Sequence, residues 1–272
     1  MASNLTRAIV ALALSCFCAN AQAIVLDWNT VSWTSGSLSN SYDIDANNPG
    51  NDITITFSGN TADLRTDGGT GLQSPDISQT LHGGQIPVAP SLYWETILAT
   101  SNNSITITIS FSPTYVNGAE NVSFTLFDID RKAPPKQDQI SSIFGLATDG
   151  ITQIAPTITN LGSAVSLTGI GLNQVLTGMA AAPSTGAGSA DGNATISFNS
   201  PGIQSISFTF GNPDFAQSPN SQFVSLFNIS YVPEAETVWV TIVICATAIG
   251  LSSWQRARKS RRFSATSESQ KK

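Results

Sequence analysis

Apolar and hydroxyl residues alternate along much of this chain. Ile53-Thr54-Ile55-Thr56-Phe57 sends its apolar side chains to one side of an extended backbone and its hydroxyls to the other. Ile105 to Phe111 repeats the pattern over seven residues, and Val122 to Leu126 over five. Ile203 to Phe210 follows it with one slip, which a β-bulge absorbs. Ala194 to Phe198 and Phe223 to Tyr231 continue the series, and Ile140 to Ala147, Ile151 to Ile158 and Val165 to Thr168 are shorter candidates. A period of two predicts strands with one buried face in an antiparallel sheet, not helices. Asn47-Asn48-Pro49-Gly50, Val116-Asn117-Gly118, Asp149-Gly150, Asp191-Gly192 and Ser200-Pro201-Gly202 supply the reversals between them. Eight to ten strands punctuated in this way predict an all-β fold over residues 24–231. The expected form is an antiparallel two-sheet sandwich, jelly-roll-like, with a small-residue loop at 178–192.

Both ends depart from that pattern. Residues 1–23 carry Arg7, then a short apolar run from Ala8 to Cys18, then Ala21-Gln22-Ala23. A positive start, a short apolar middle and small residues at −3 and −1 are what signal peptidase accepts, so a signal peptide ending at Ala23 is expected. Near the other end, Thr237 to Trp254 holds no charge over 18 residues. As a helix it is roughly 27 Å long, enough to cross a bilayer with interfacial help. Trp239 and Trp254 lie near its ends, where indole rings favour the interface. Arg256, Arg258, Lys259, Arg261 and Arg262 follow at once within residues 255–262. Such a cluster stays cytoplasmic, which leaves the body outside and residues 263–272 as a short inner tail.

Composition narrows the function classes. Charged residues make up 11% of the chain, and 83 of its 272 residues are Ser, Thr or Asn. Helix-rich enzymes need more Glu, Lys and Arg; Thr suits strands, and Asn and Ser suit turns. Residues 24–232 hold four basic side chains against fifteen acids. A body that acidic repels phosphate backbones, so nucleic acid is excluded as a partner. Cys16 and Cys18 fall in the leader and Cys245 in the apolar tail segment, so the exported body has no disulfide and no thiolate metal site. His82, in the turn-like Leu81-His82-Gly83-Gly84, is the one histidine. A His-rich zinc site is therefore unavailable.

Val232-Pro233-Glu234-Ala235-Glu236, the apolar span and the arginine cluster stand in a fixed order. The arrangement over residues 232–262 resembles the PEP-CTERM sorting signal of Gram-negative bacteria, with Ala235 where that motif has its second proline. The chain also continues for ten residues, 263–272, past Arg262, where such proteins usually stop. The resemblance implies export, processing by an exosortase at the membrane, and association with the cell surface or exopolysaccharide. Before processing, the body would face the periplasm from the inner membrane. Asn121 to Phe210 also looks like β-sandwich modules of bacterial surface proteins. The matching pieces are Phe124-Thr125-Leu126-Phe127-Asp128-Ile129-Asp130, a loop reaching Asp138, and the strand at 192–198.

Several side chains are candidates for chemistry. Asp128 and Asp130 point the same way if their strand end is extended, and the loop after them can return Asp138 beside them. Three carboxylates with nearby carbonyls suit calcium; Arg131, Lys132 and Lys136 in the same loop can pair with them instead. Asp43, Asp45 and Asp52 flank the Asn-Asn-Pro-Gly turn and form a second candidate cation site, with solvated turn acids as the alternative. Tyr93 and Trp94 are candidate sugar-stacking rings, and Glu95 beside them a candidate acid for paired-carboxylate glycan hydrolysis. Trp28 and Trp33 read as core residues. The expectation is a non-catalytic body, anchored or sorted to the surface, with no required cofactor. A calcium-dependent carbohydrate-binding or adhesive module and a secreted glycan hydrolase are the alternatives.

Overall fold

The computed structural model describes residues 22–131, 136–179, 189–213 and 221–234. The leader up to residue 21, Ala235, the apolar span 237–254 and the basic cluster lie outside the described residues. Among the described residues no helix is long and apolar enough to cross a membrane. The compact unit is Ala21–Glu234.

Its strands, in chain order, begin with β1 (Ile24–Leu26), β2 (Ser39–Tyr42), β3 (Ile53–Gly59), β4 (Asp76–Ser78) and β5 (Ser91–Ile97). There follow β6 (Ser104–Phe111), β7 (Ala119–Phe127), β8 (Gln139–Ala147), β9 (Gln153–Ile154) and β10 (Thr157–Thr159). The series ends with β11 (Val165–Thr168), β12 (Val175–Gly178), β13 (Ala194–Phe198), β14 (Ile203–Gly211), β15 (Ser221–Leu226) and β16 (Ile229–Pro233). All the pairings are antiparallel, as the alternation predicts. One layer runs β2-β3-β6-β14-β8-β12-β11, with β9 also on β8. The other runs β10-β13-β7, then β15 and β16 end to end along β7. Outside these, β5 and β4 extend from β15, and β1 lies on β16. Ile203 of β14 pairs with Ala119 of β7, so one corner joins the layers into a single curled sheet.

Aromatic contacts cross between the layers. Phe208 of β14 stacks on Phe124 of β7 at 5.6 Å and meets Trp94 of β5 at 6.4 Å. Trp94 also meets Phe57 at 5.4 Å and Phe210 at 6.3 Å in edge contacts. Phe111 of β6 lies 4.9 Å from Tyr231 of β16. On the outer faces of the central strands, threonine and serine hydroxyls pair across the ladder: Thr106 with Thr209, Ser123 with Ser197, Thr125 with Thr195. The period-two pattern therefore does two jobs, filling the interlayer space on one side and tying neighbouring strands on the other.

The slip in Ile203 to Phe210 is found as a bulge. Between Ile203 and Ser205, β14 advances two residues against one on β8, leaving Gln204 as the extra residue. A second irregularity between Ser207 and Thr209 places the extra residue on β8, where Ser142 has a φ of 51°. The broad candidate Phe223 to Tyr231 is two strands, β15 and β16, broken at Phe227 and Asn228.

The outer face of the second layer is also covered. Ser91 Oγ and Ser225 Oγ both donate to the Leu81 carbonyl, at 2.7 and 3.3 Å, laying the segment after β4 over β5 and β15. Gly83 there has a φ of 54°, and a Cβ on it would sit 2.3 Å from the Phe127 ring, so glycine is required. This second covering buries both faces of β5 and blurs its alternation.

Phe208→Ala removes the ring that touches both Phe124 and Trp94. We expect a loss of about 3–5 kcal/mol in urea unfolding followed by tryptophan fluorescence. A loss under about 1 kcal/mol would contradict the packing described.

Candidate functional site

The strongest candidate lies at the end of the sandwich where β15 begins. Strand β7 stops at Phe127, and Asp128 then takes a φ of 67°. That left-handed conformation turns the chain out of register. The expected alignment of Asp128 with Asp130 needs an extended backbone, so it does not occur. Asp138 does return beside Asp130. Its N–H donates to the Asp130 carbonyl at 2.9 Å, and the Asp130 N–H donates to Asp138 Oδ2 at 3.1 Å. The corner packs on Gly178, whose N–H donates to the Asp138 carbonyl at 2.9 Å. A Cβ on Gly178 would lie 2.0 Å from the Asp130 carbonyl oxygen. Asp128, Asp130 and Asp138 thus do not form the expected three-carboxylate set. Among the described residues no three His, Cys, Asp or Glu side chains are placed to hold a metal ion.

Asp130, Lys136 and Asp138 instead line a cavity with Ser221, Gln222 and Phe223. Its empty space, mouth included, is about 210 Å³. Gln222 pairs in register with Thr96 of β5, and Val224 with Trp94, so Gln222 lies on the face turned to the core. It is 4% exposed, and neither its amide nitrogen nor its amide oxygen has a hydrogen-bond partner. The Thr96 hydroxyl is likewise buried without a partner. Nearby along β5, Asn212 Nδ2 donates to the Leu98 carbonyl at 2.7 Å while its Oδ1 has none. The layers are sealed by apolar rings at their centre and end here in amides and hydroxyls.

The rings singled out by sequence are placed differently. Trp94 is 0% exposed and has Phe57, Phe208 and Phe210 around it. Tyr93 is buried, its ring 6.1 Å from Phe223 and its hydroxyl donating to Glu95 Oε2 at 2.7 Å. Neither presents a face for a sugar to stack on. Burial and the neighbouring acids raise the Tyr93 phenol well above its ordinary range. Trp28 and Trp33 are buried, as expected. His82 sits in the predicted turn, its carbonyl accepting from Gln85 N–H at 2.9 Å, but its Nδ1 is buried without a partner.

Two further acidic groups have structural roles. Asp52 of the Asp43, Asp45 and Asp52 set accepts from the N–H groups of Ile44 and Asp45, both at 2.6 Å. Asn48 Nδ2 at 2.6 Å and the Tyr115 hydroxyl at 2.8 Å complete the set. Burial opposes its charge, and these donors outweigh burial, so its carboxyl is held below the usual range. Asp67 and Asp76 carry no sequence signal, because they come from a loop and a three-residue strand. They are 0% and 1% exposed, and Thr70 Oγ1 donates to both, at 3.1 and 3.0 Å. Gly69 N–H and Thr80 Oγ1 also donate to Asp67. Burial pushes Asp76 up to about 6, against the Thr70 hydrogen bond and with help from the Asp67 charge.

No family model and no curated relative matches this chain. Some solved structures are similar to it at low level. The carbohydrate-binding module CBM27-1 from Caldicellulosiruptor saccharolyticus, in complex with mannohexaose, is 14% identical with a TM-score of 0.36 over 79% of this chain and 99% of that one. The mannan-recognising module TmCBM27 is 8% identical with a TM-score of 0.31 over 79% and 100%. A family 11 module from Clostridium thermocellum, in complex with a mixed-linked tetrasaccharide, is 11% identical with a TM-score of 0.29 over 79% and 97%. Likeness at this level does not extend to a ligand.

The raised Asp76 carboxyl has a readable consequence. The folded state holds that proton up to about pH 6, whereas the unfolded chain releases it near 3.8. Its contribution to stability therefore declines as pH rises from about 4 to about 6 and is constant above. Asp76→Asn should raise stability by about 1–3 kcal/mol at pH 7.5, with the gain vanishing toward pH 4. Asp52→Asn should do the opposite, with a loss at pH 7.5 that shrinks in acid. Urea midpoints of the three proteins across that range measure both.

Proposed function

We propose that this chain is an exported, surface-displayed protein whose β-sandwich presents a non-catalytic binding body. The observation that carries this reading is where the fold ends. Val232 and Pro233 close β16 by pairing with Glu120 and Ala119 of β7. The Glu234 N–H donates to the Gly118 carbonyl at 3.0 Å, and its carboxylate accepts from the Gly202 N–H. The uncharged run begins at Thr237, three residues further on. A folded body that hands over directly to an apolar span and an arginine cluster fits retention at a membrane. The leader exports, the span retains, and the body faces the periplasm.

The resemblance of 232–262 to a PEP-CTERM signal extends the proposal to exosortase processing and transfer to the cell surface or matrix. Glu234 is tied into the folded body, so cleavage beyond it leaves the sandwich whole. Ala235 stands in the proline position, and cleavage here depends on an enzyme that tolerates it.

A second reading, a polysaccharide-binding or adhesive role for the body, is favoured by the cavity at the end of β15. Asp130, Lys136, Asp138, Ser221, Gln222 and Phe223 line it, and its accessible wall is mostly apolar. A mostly apolar wall between residues of both charges suits an uncharged ligand with polar and apolar faces, such as the sugars of an exopolysaccharide. Glu95, sharing a hydrogen bond with a buried tyrosine, is not placed at this cavity, which leaves hydrolysis by paired carboxylates without support.

Anchoring is tested by fractionation. Protein tagged after Lys272 should stay in the membrane pellet through alkaline washing, and deletion of 237–254 should release it. Equal retention of the deletion variant would remove the anchor. Processing is tested by intact mass: surface-fraction protein ending between Glu234 and Thr237 supports it, and surface protein that keeps Lys272 removes it.

A further inference from the structure

We infer that the end of the sandwich from which the chain leaves for the apolar span rests on the lipid surface, with Val116 and Ile151 entering the headgroup region; this rests on the anchoring reading above. Three turns meet at that end. The Thr148 N–H donates to the Gly202 carbonyl at 2.9 Å, and a Cβ on Gly118 would lie 2.7 Å from the Gly202 carbonyl carbon. The turns at 115–118, 147–152 and 199–202 are therefore packed together. Two of them carry an apolar side chain in the open: Val116 is 62% exposed and Ile151 is 83% exposed. Pro201 on the third is exposed as well. Single exposed apolar residues are ordinary on a protein surface, but here each of three adjoining turns carries one. Strand β1 also starts at this end, with Ile24 paired to Tyr231.

The length of the connection limits what these turns can face. Glu234 is hydrogen-bonded to both Gly118 and Gly202, so the chain leaves the body from the middle of the group. Thr237 follows three residues later, and three residues reach at most about 11 Å. An anchored body therefore cannot carry this end further than that from the start of the span. Apolar side chains at turn tips suit shallow burial at the boundary of headgroups and acyl chains. The three turns hold no lysine or arginine, so attraction to anionic headgroups does not drive the contact. Their nearby acids are turned inward. Asp149 accepts from the N–H groups of Ile151 and Thr152, both at 2.8 Å, and from the Thr152 hydroxyl at 2.6 Å. Glu234 accepts from the Gly202 N–H. The surface that fits is a zwitterionic one. Strand β7 runs from this end for nine residues, roughly 27 Å, before the chain reaches Asp130. Contact at the turns thus holds the cavity at the start of β15 clear of the bilayer.

Full-length protein in nanodiscs of phosphatidylethanolamine and phosphatidylcholine tests this. Cys16, Cys18 and Cys245 are replaced by alanine, and a bimane label is placed in turn on Val116→Cys, Ile151→Cys and Asn102→Cys. Asn102 is exposed in the turn before β6, at the opposite end of that strand from Phe111. Lipids carrying a nitroxide on the headgroup should quench the labels at 116 and 151 by at least half and the label at 102 by less than a tenth. Two positions keep the test open if one label disturbs folding. Equal quenching at all three sites, or none at 116 and 151 in protein that stays in the nanodisc, would overturn the contact and leave the anchor standing. Protein that does not enter the nanodisc would overturn the anchor and this inference with it. Quenching at 116 and 151 that appears only when phosphatidylglycerol replaces phosphatidylcholine would overturn the zwitterionic assignment.

Discussion

The structure depends on one contact between its layers. Phe208 stands between Phe124 on one neighbour of the opposite layer and Trp94 on another. Its strand, β14, is hydrogen-bonded on both sides, to β6 and to β8. A ring fixed by two ladders and held against two rings opposite sets the spacing of the layers. Apolar side chains of β3, β5, β6 and β7 then fill the same space, because their alternation delivers one side chain inward at every second residue. With only four basic side chains between residues 24 and 232, this body has little scope for ion pairing. Rings inside and hydroxyl ladders outside take that role.

The outer layer adds a second burial. The segment between β4 and β5 crosses the exterior of β5 and β15, encloses Tyr93 and Phe127, and encloses Asp67 and Asp76 as well. Two neighbouring buried acids with only hydroxyl and amide donors around them are costly, and the raised Asp76 carboxyl expresses that cost. Asp52 shows the other outcome of burying an acid: four donors converge on it, and it keeps its charge. The difference lies in how many N–H and O–H groups each local turn can aim inward.

Strands with one clean face were legible from sequence. Ala194 to Phe198 and Val165 to Thr168 match β13 and β11 residue for residue, and the slip before Ile206 is a true bulge. Strand β5 is hidden because both its faces are buried, so Tyr93, Trp94 and Glu95 stand in the sequence as candidate stacking rings and a candidate acid rather than as a ladder. Short strands such as β4 owe their form to a neighbour and leave no periodic trace. At the site, the return of Asp138 to Asp130 was readable from loop length. The left-handed Asp128 was not, and it dissolves the expected calcium set. Gln222 gave no signal, because an amide inside a strand looks solvent-facing until its register partner is known.

The proposed functions rest on the ends of this architecture. At one, β16 finishes in Val232-Pro233 and passes the chain toward the apolar span. At another, β15 opens with Ser221 and Gln222 beside a small cavity that Asp130, Lys136 and Asp138 also line. Both depend on β14 holding the layers together. Native-state hydrogen exchange read by mass spectrometry tests that directly. The account predicts that amides of Ser205–Phe210 exchange last in the chain, together with those of β7. Exchange of that strand as fast as the edge strand β11 would contradict it.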